Sequence, residues 1–108
     1  MSRMITAAAA QLGPVEREEG RASVVGRLIE MLRAAHARGA RLVVFPELAL
    51  TTFFPRWHIT DKEELDGFYE KEMPSNETQP LFDVARDLGV GFNLGYAEQF
   101  IDEAGNRR

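Results

Sequence analysis

Leu42-Val43-Val44-Phe45-Pro46-Glu47 is the stretch that decides the fold. A continuous apolar run with two adjacent β-branched residues reads as a strand buried on both faces, and Pro46 stops it. Before it, Val25, Leu28, Ile29, Leu32 and Ala35 recur at the i, i+3, i+4, i+7 spacing of a helix with one apolar face. Glu16, Glu18 and Glu19 near its start, with Arg33, His36 and Arg38 near its end, suit the helix dipole. Gly39 is placed to close it, so the spacing predicts a helix from about residue 18 to about residue 38. Further back, the short apolar run Met4 to Gln11 ends at the turn signal Gly13-Pro14 and reads as a buried strand. Strand, helix and strand in that order predict a βαβ unit with a right-handed crossover.

Beyond Pro46, residues 46 to 60 read as a loop carrying Phe53, Phe54, Trp57 and His58. Capping patterns at Thr60 and Asp61 predict a short helix with Leu65, Phe68 and Tyr69 on its buried side, ended by Met73-Pro74. Ser75 or Asn76 is expected to cap a further helix, with Pro80 in its first turn and Gly89 at its close. Leu81, Val84, Ala85 and Leu88 form its apolar stripe. Val90 to Gln99 reads as a third strand, with Phe92, Leu94 and Tyr96 on one face. Asp102 to Asn106 reads as a hairpin turn with no return strand after it, so the chain looks cut short. The fold class is α/β, a three-stranded mixed or parallel sheet with about three helices.

Composition bounds the function. The chain has 108 residues, 44% apolar and 28% charged, which suits one small globular domain. Its net charge of −4 lacks the footprint of a nucleic-acid binder. It holds no cysteine, which excludes disulfides, thiolate metal sites and a cysteine nucleophile within these residues. No apolar run approaches a membrane span, and a cytoplasmic location is expected. His36 and His58 have no partner at metal-ligand spacing, so no metal is expected. The glycines from Gly89 to Gly95 follow a helix and precede a strand, the reverse of a dinucleotide-binding loop.

Glu47 stands just past the C-terminal end of a strand, where α/β proteins place their ligand sites. Pro46 restricts the backbone before it, and the flanks Phe45 and Leu48 are expected to desolvate the carboxylate, as a general base near neutral pH requires. On position alone, a loop-capping carboxylate accepting backbone N–H bonds is the commoner role. Phe53, Phe54 and Trp57 can wall a small-molecule pocket with Arg56 near an anion, or form a satellite apolar cluster under the loop.

Val44-Phe45-Pro46-Glu47-Leu48-Ala49-Leu50-Thr51-Thr52-Phe53-Phe54-Pro55-Arg56-Trp57-His58 resembles the N-carbamoyl-D-amino-acid amidohydrolases of the nitrilase, or carbon–nitrogen hydrolase, superfamily. So do Gly91-Phe92-Asn93-Leu94-Gly95-Tyr96-Ala97-Glu98 and, at the start, Gln11, Gly13 and Pro14. The resemblance spans essentially the whole chain and about the first third of that family's domain. It implies the N-terminal part of an α-β-β-α sandwich. It also implies hydrolysis of N-carbamoyl-D-amino acids to the D-amino acid, ammonia and carbon dioxide, with Glu, Lys and Cys and no cofactor. Glu47 matches the general base, and Phe53, Phe54 and Trp57 are expected to bind substrate. The partner expected is a small-molecule N-carbamoyl amino acid, with a homo-oligomer in the full-length protein. The chain departs from the family's pattern in lacking cysteine, and neither Lys62 nor Lys71 matches the catalytic lysine. These residues alone are therefore expected to be inactive and aggregation-prone. A non-catalytic α/β module and another amidase of the superfamily are the alternatives.

Overall fold

The computed structural model describes residues 2–108. Three short strands, β1 (Ala7–Ala9), β2 (Leu42–Val44) and β3 (Gly91–Asn93), form a sheet in the order β1-β2-β3, parallel throughout. Helix α1 (Arg21–Ala37) joins β1 to β2. A 3-10 turn (Phe54–Arg56), α2 (Lys62–Gly67) and α3 (Gln79–Leu88) lie between β2 and β3. The βαβ unit is as the patterning predicts, and the sheet resolves to parallel rather than mixed.

Each helix ends where its local chemistry dictates. Gly39 (φ 92°) follows α1 and Gly89 (φ 69°) caps α3 in the left-handed region, which costs a residue without Cβ little. The Asp61 carboxylate accepts from the backbone N–H groups of Glu63 and Glu64 at the start of α2. The cap of α3 differs from expectation. That helix starts later, and Ser75 and Thr78 instead bond each other across the preceding turn.

Parallel pairing in the order β1-β2-β3 moves both crossovers the same way across the sheet, and right-handed crossovers then put both on one side. Helices α1 and α3 indeed pack together over one face. Val24, Val25, Leu28 and Leu32 of α1 and Leu81 and Ala85 of α3 form the core with Val43 and Phe45. In the strand register, Ala8, Val43 and Phe92 lie side by side and point at these helices. The rows on either side of them, Ala7, Leu42, Gly91 and Ala9, Val44, Asn93, belong to the opposite face. Val44 is 41% exposed there, so the expectation of a strand buried on both faces is corrected. An apolar run in β2 is required by the core on one side alone. On the other side Val44 lies exposed and Leu42 is half-buried. The radius of gyration, 15.6 Å, exceeds the roughly 13 Å of a compact chain this long.

The third strand is also shorter than its apolar pattern predicts. Regular pairing ends at Asn93, and the chain then meets other partners. Gly95 bonds Ala49, and Glu70 forms a parallel bridge with Glu98. Residues 102 to 106 form the expected turn, but the expectation that no return follows is corrected: Ile101 bridges Arg107, and Phe100 and Arg108 exchange backbone hydrogen bonds. Among the described residues, no helix is long and apolar enough to cross a membrane.

Candidate active site

The site is built at the carboxyl end of β2, the central strand. In regular parallel pairing, alternate residues of β2 donate to alternate carbonyls of the neighbouring strand. Phe45 N–H donates to Asn93 O at 3.0 Å, and the next carbonyl, Gly95 O, is due a bond from residue 47. It accepts from Ala49 N–H instead, at 3.0 Å. Two extra residues are therefore spent between consecutive bonds, and Glu47 stands on the resulting turn. Leu48, on that turn, has φ 48°, a left-handed conformation that side chains with a Cβ disfavour.

Glu47 is exposed, which corrects the expectation that Phe45 and Leu48 desolvate it. Phe45 is buried, and its ring turns into the core at 6.0 Å from the ring of Phe92. Leu48 is half-buried. Among the described residues the Glu47 carboxylate enters no ion pair. Among the described residues it also makes no loop-capping bond of the kind Asp61 makes.

The aromatic loop divides in two. Phe54 is buried, stacked on Phe68 (centroids 5.2 Å, planes 4° apart) and tilted against Tyr69 at 5.4 Å. Its ring anchors the loop to the segment after α2. Phe53 and Trp57 are 46% and 39% exposed. Trp57 has two guanidinium groups near its ring, Arg56 at 4.8 Å and Arg17 at 5.3 Å, and both are within cation–π range. It borders a concavity of about 520 Å³ with Pro14, Val15, Thr52 and Arg56. Arg56 is thus engaged with the indole and free of carboxylate partners among the described residues.

Two features escaped the sequence reading. One is Glu70, buried and paired with Arg21 of α1, which ties α1 to the segment after α2. It sits in an acidic stretch where nothing singles it out. The other is Gly95, half-buried against the Glu47 turn. A glycine inside an apolar strand pattern does carry a signal, that of another backbone approaching closely. Neither His36 nor His58 joins a metal-binding group, and no such group exists among the described residues.

With this geometry in place, the family profile described as carbon–nitrogen hydrolase matches residues 6–107. That span takes in all three strands and the Glu47 turn.

Proposed function

The chain belongs to the carbon–nitrogen hydrolase family, and from that premise we propose that it contributes the general base, Glu47, to the hydrolysis of N-carbamoyl-D-amino acids. The observation that carries the reading is Glu47 itself, an exposed carboxylate without an ion-pair partner among the described residues, on a strained turn at the end of the central strand. The fifteen-residue resemblance from Val44 to His58 supports the substrate class.

In this reading Glu47 takes the proton from a thiol, whose usual pKa of about 8.5 leaves little thiolate at neutral pH. The thiolate attacks the carbamoyl carbon, and a lysine stabilises the tetrahedral intermediate. Across the whole reaction one water is consumed, and the D-amino acid, ammonia and carbon dioxide leave. The 108 residues hold no cysteine, and neither Lys62 nor Lys71 matches the family's catalytic lysine, so in this reading both groups come from outside them. An incoming surface that carries the thiol also supplies the desolvation Glu47 lacks here. In this reading Phe53 and Trp57 border the substrate's approach, and the buried Phe54 anchors the loop that carries them.

The test is complementation. The chain is fused to or co-expressed with the thiol- and lysine-bearing remainder of a carbon–nitrogen hydrolase, and ammonia release is measured. Release from N-carbamoyl-D-amino acids, and none from the 108 residues alone, is the expected result. Preference for a simple amide or a nitrile assigns another activity of the family, and no release from any of them favours a non-catalytic module.

A further inference from the structure

The geometry points to Gly95 as a positioning residue for Glu47, acting through the backbone of the turn that carries it. This inference rests on the general-base reading of Glu47. The turn from Pro46 to Ala49 has no regular structure to hold it, and Leu48 pays a conformational cost at φ 48° that only firm surroundings maintain. Gly95 supplies those surroundings in two ways. Its carbonyl accepts the Ala49 N–H at 3.0 Å, fixing the far side of the turn. Its missing side chain lets the backbone following β3 lie directly against the near side. A Cβ at position 95 would stand 3.3 Å from Glu47 Cα, 3.4 Å from Leu48 N and 3.5 Å from Pro46 O. The contact to Glu47 Cα is tighter than an ordinary one, and because it is made to backbone no rotamer change relieves it. The turn must move by a few tenths of an ångström, and the base moves with it.

Gly91, four residues earlier at the start of β3, is the control. A Cβ there meets nothing nearer than Leu42 Cδ1 at 3.7 Å, an ordinary contact.

Gly95→Ala, Gly91→Ala, Leu48→Gly and the Gly95→Ala/Leu48→Gly pair are made in the complemented hydrolase, beside Glu47→Gln. Gly95→Ala is expected to lower kcat by about tenfold or more with KM nearly unchanged, since small misplacements of a reacting group cost that much or more. Gly91→Ala is expected to keep kcat. Leu48→Gly gives the turn freedom to yield, so the double variant is expected to recover part of the loss. An unchanged kcat in Gly95→Ala overturns the inference. So does a fall in kcat that follows a fall in Tm and is not relieved by Leu48→Gly. Failure of the base reading is seen separately, as full kcat in Glu47→Gln. In that event the Ala49 amide still reports the clamp: Gly95→Ala must speed its hydrogen exchange, and unchanged exchange overturns the inference.

Discussion

Glu70 is 6% exposed, paired with Arg21, and held on both sides of its backbone by Ala97 O and Gln99 N–H. Glu47 is exposed, has no ion-pair partner among the described residues, and sits on a turn whose next residue is in the left-handed region. The chain thus satisfies one carboxylate completely and leaves the other open. A buried charge without a partner is costly, so Glu70 is there to tie segments together. An open carboxylate gains the fold nothing, and the strain beside it is the kind that collects at functional sites. The aromatic loop repeats the contrast, with Phe54 enclosed and Trp57 on the surface with two arginines near its ring.

The sharpest way to break that contrast is at the aromatics. Phe54→Ala removes a buried stacked ring and is expected to cost about 3–5 kcal/mol, read by thermal or denaturant unfolding. Trp57→Ala is expected to leave stability nearly intact and to shift KM or side-chain preference in the complemented hydrolase. If Trp57→Ala instead destabilises and leaves specificity unmoved, the exposed ring is part of an apolar cluster and the division of the loop fails.

Next in size is Arg21→Ala, which leaves Glu70 buried without its cation. A loss of about 3 kcal/mol is expected in unfolding measurements. Glu70→Gln keeps an uncharged acceptor there and should cost less. Equal, negligible losses would mean that Glu70 is no more committed than Glu47.

The smallest effect belongs to Glu19. Burial raises its carboxyl's pKa, but hydrogen bonds from Ser23, Arg27 and the Glu16 N–H outweigh this and leave it below the ordinary 4.5. A lowered native pKa contributes stability above the unfolded value and loses it as pH falls through the native one. Glu19→Gln is therefore expected to cost about 0.5 kcal/mol near pH 7, on the scale of a surface pair. The gap between variant and parent should close as the medium is acidified past 4.5, and a gap that persists in acid would remove the charge from the account.

Local patterns made much of this legible in the sequence. The spacing of Val25, Leu28, Ile29, Leu32 and Ala35, the stops at Gly39 and Gly89, and the strand before Pro46 act over a few residues, and their elements formed as expected. What escaped was set by distant partners. Val44 is apolar yet exposed, because which face of a strand is covered depends on the direction of both crossovers. β3 stops at Asn93 because Gly95 meets the Glu47 turn and the chain beyond it pairs near Glu70. Glu47 was found by its place after the strand. Its exposure was not, since an aromatic neighbour in sequence need not turn its ring toward the carboxylate, and Phe45 turns into the core.

Whether Glu47 serves the chemistry while Glu70 serves the fold is decided by comparing Glu47→Gln with Glu70→Gln in the complemented hydrolase, measuring kcat for ammonia release and Tm on the same preparations. Glutamine keeps the size of the side chain and its hydrogen bonding but cannot accept the thiol proton. Glu47→Gln is predicted to lower kcat by about a hundredfold or more with Tm unchanged, and Glu70→Gln to lower Tm while kcat stays close to that of the parent. Near-normal kcat in Glu47→Gln would show that Glu47 is not the general base.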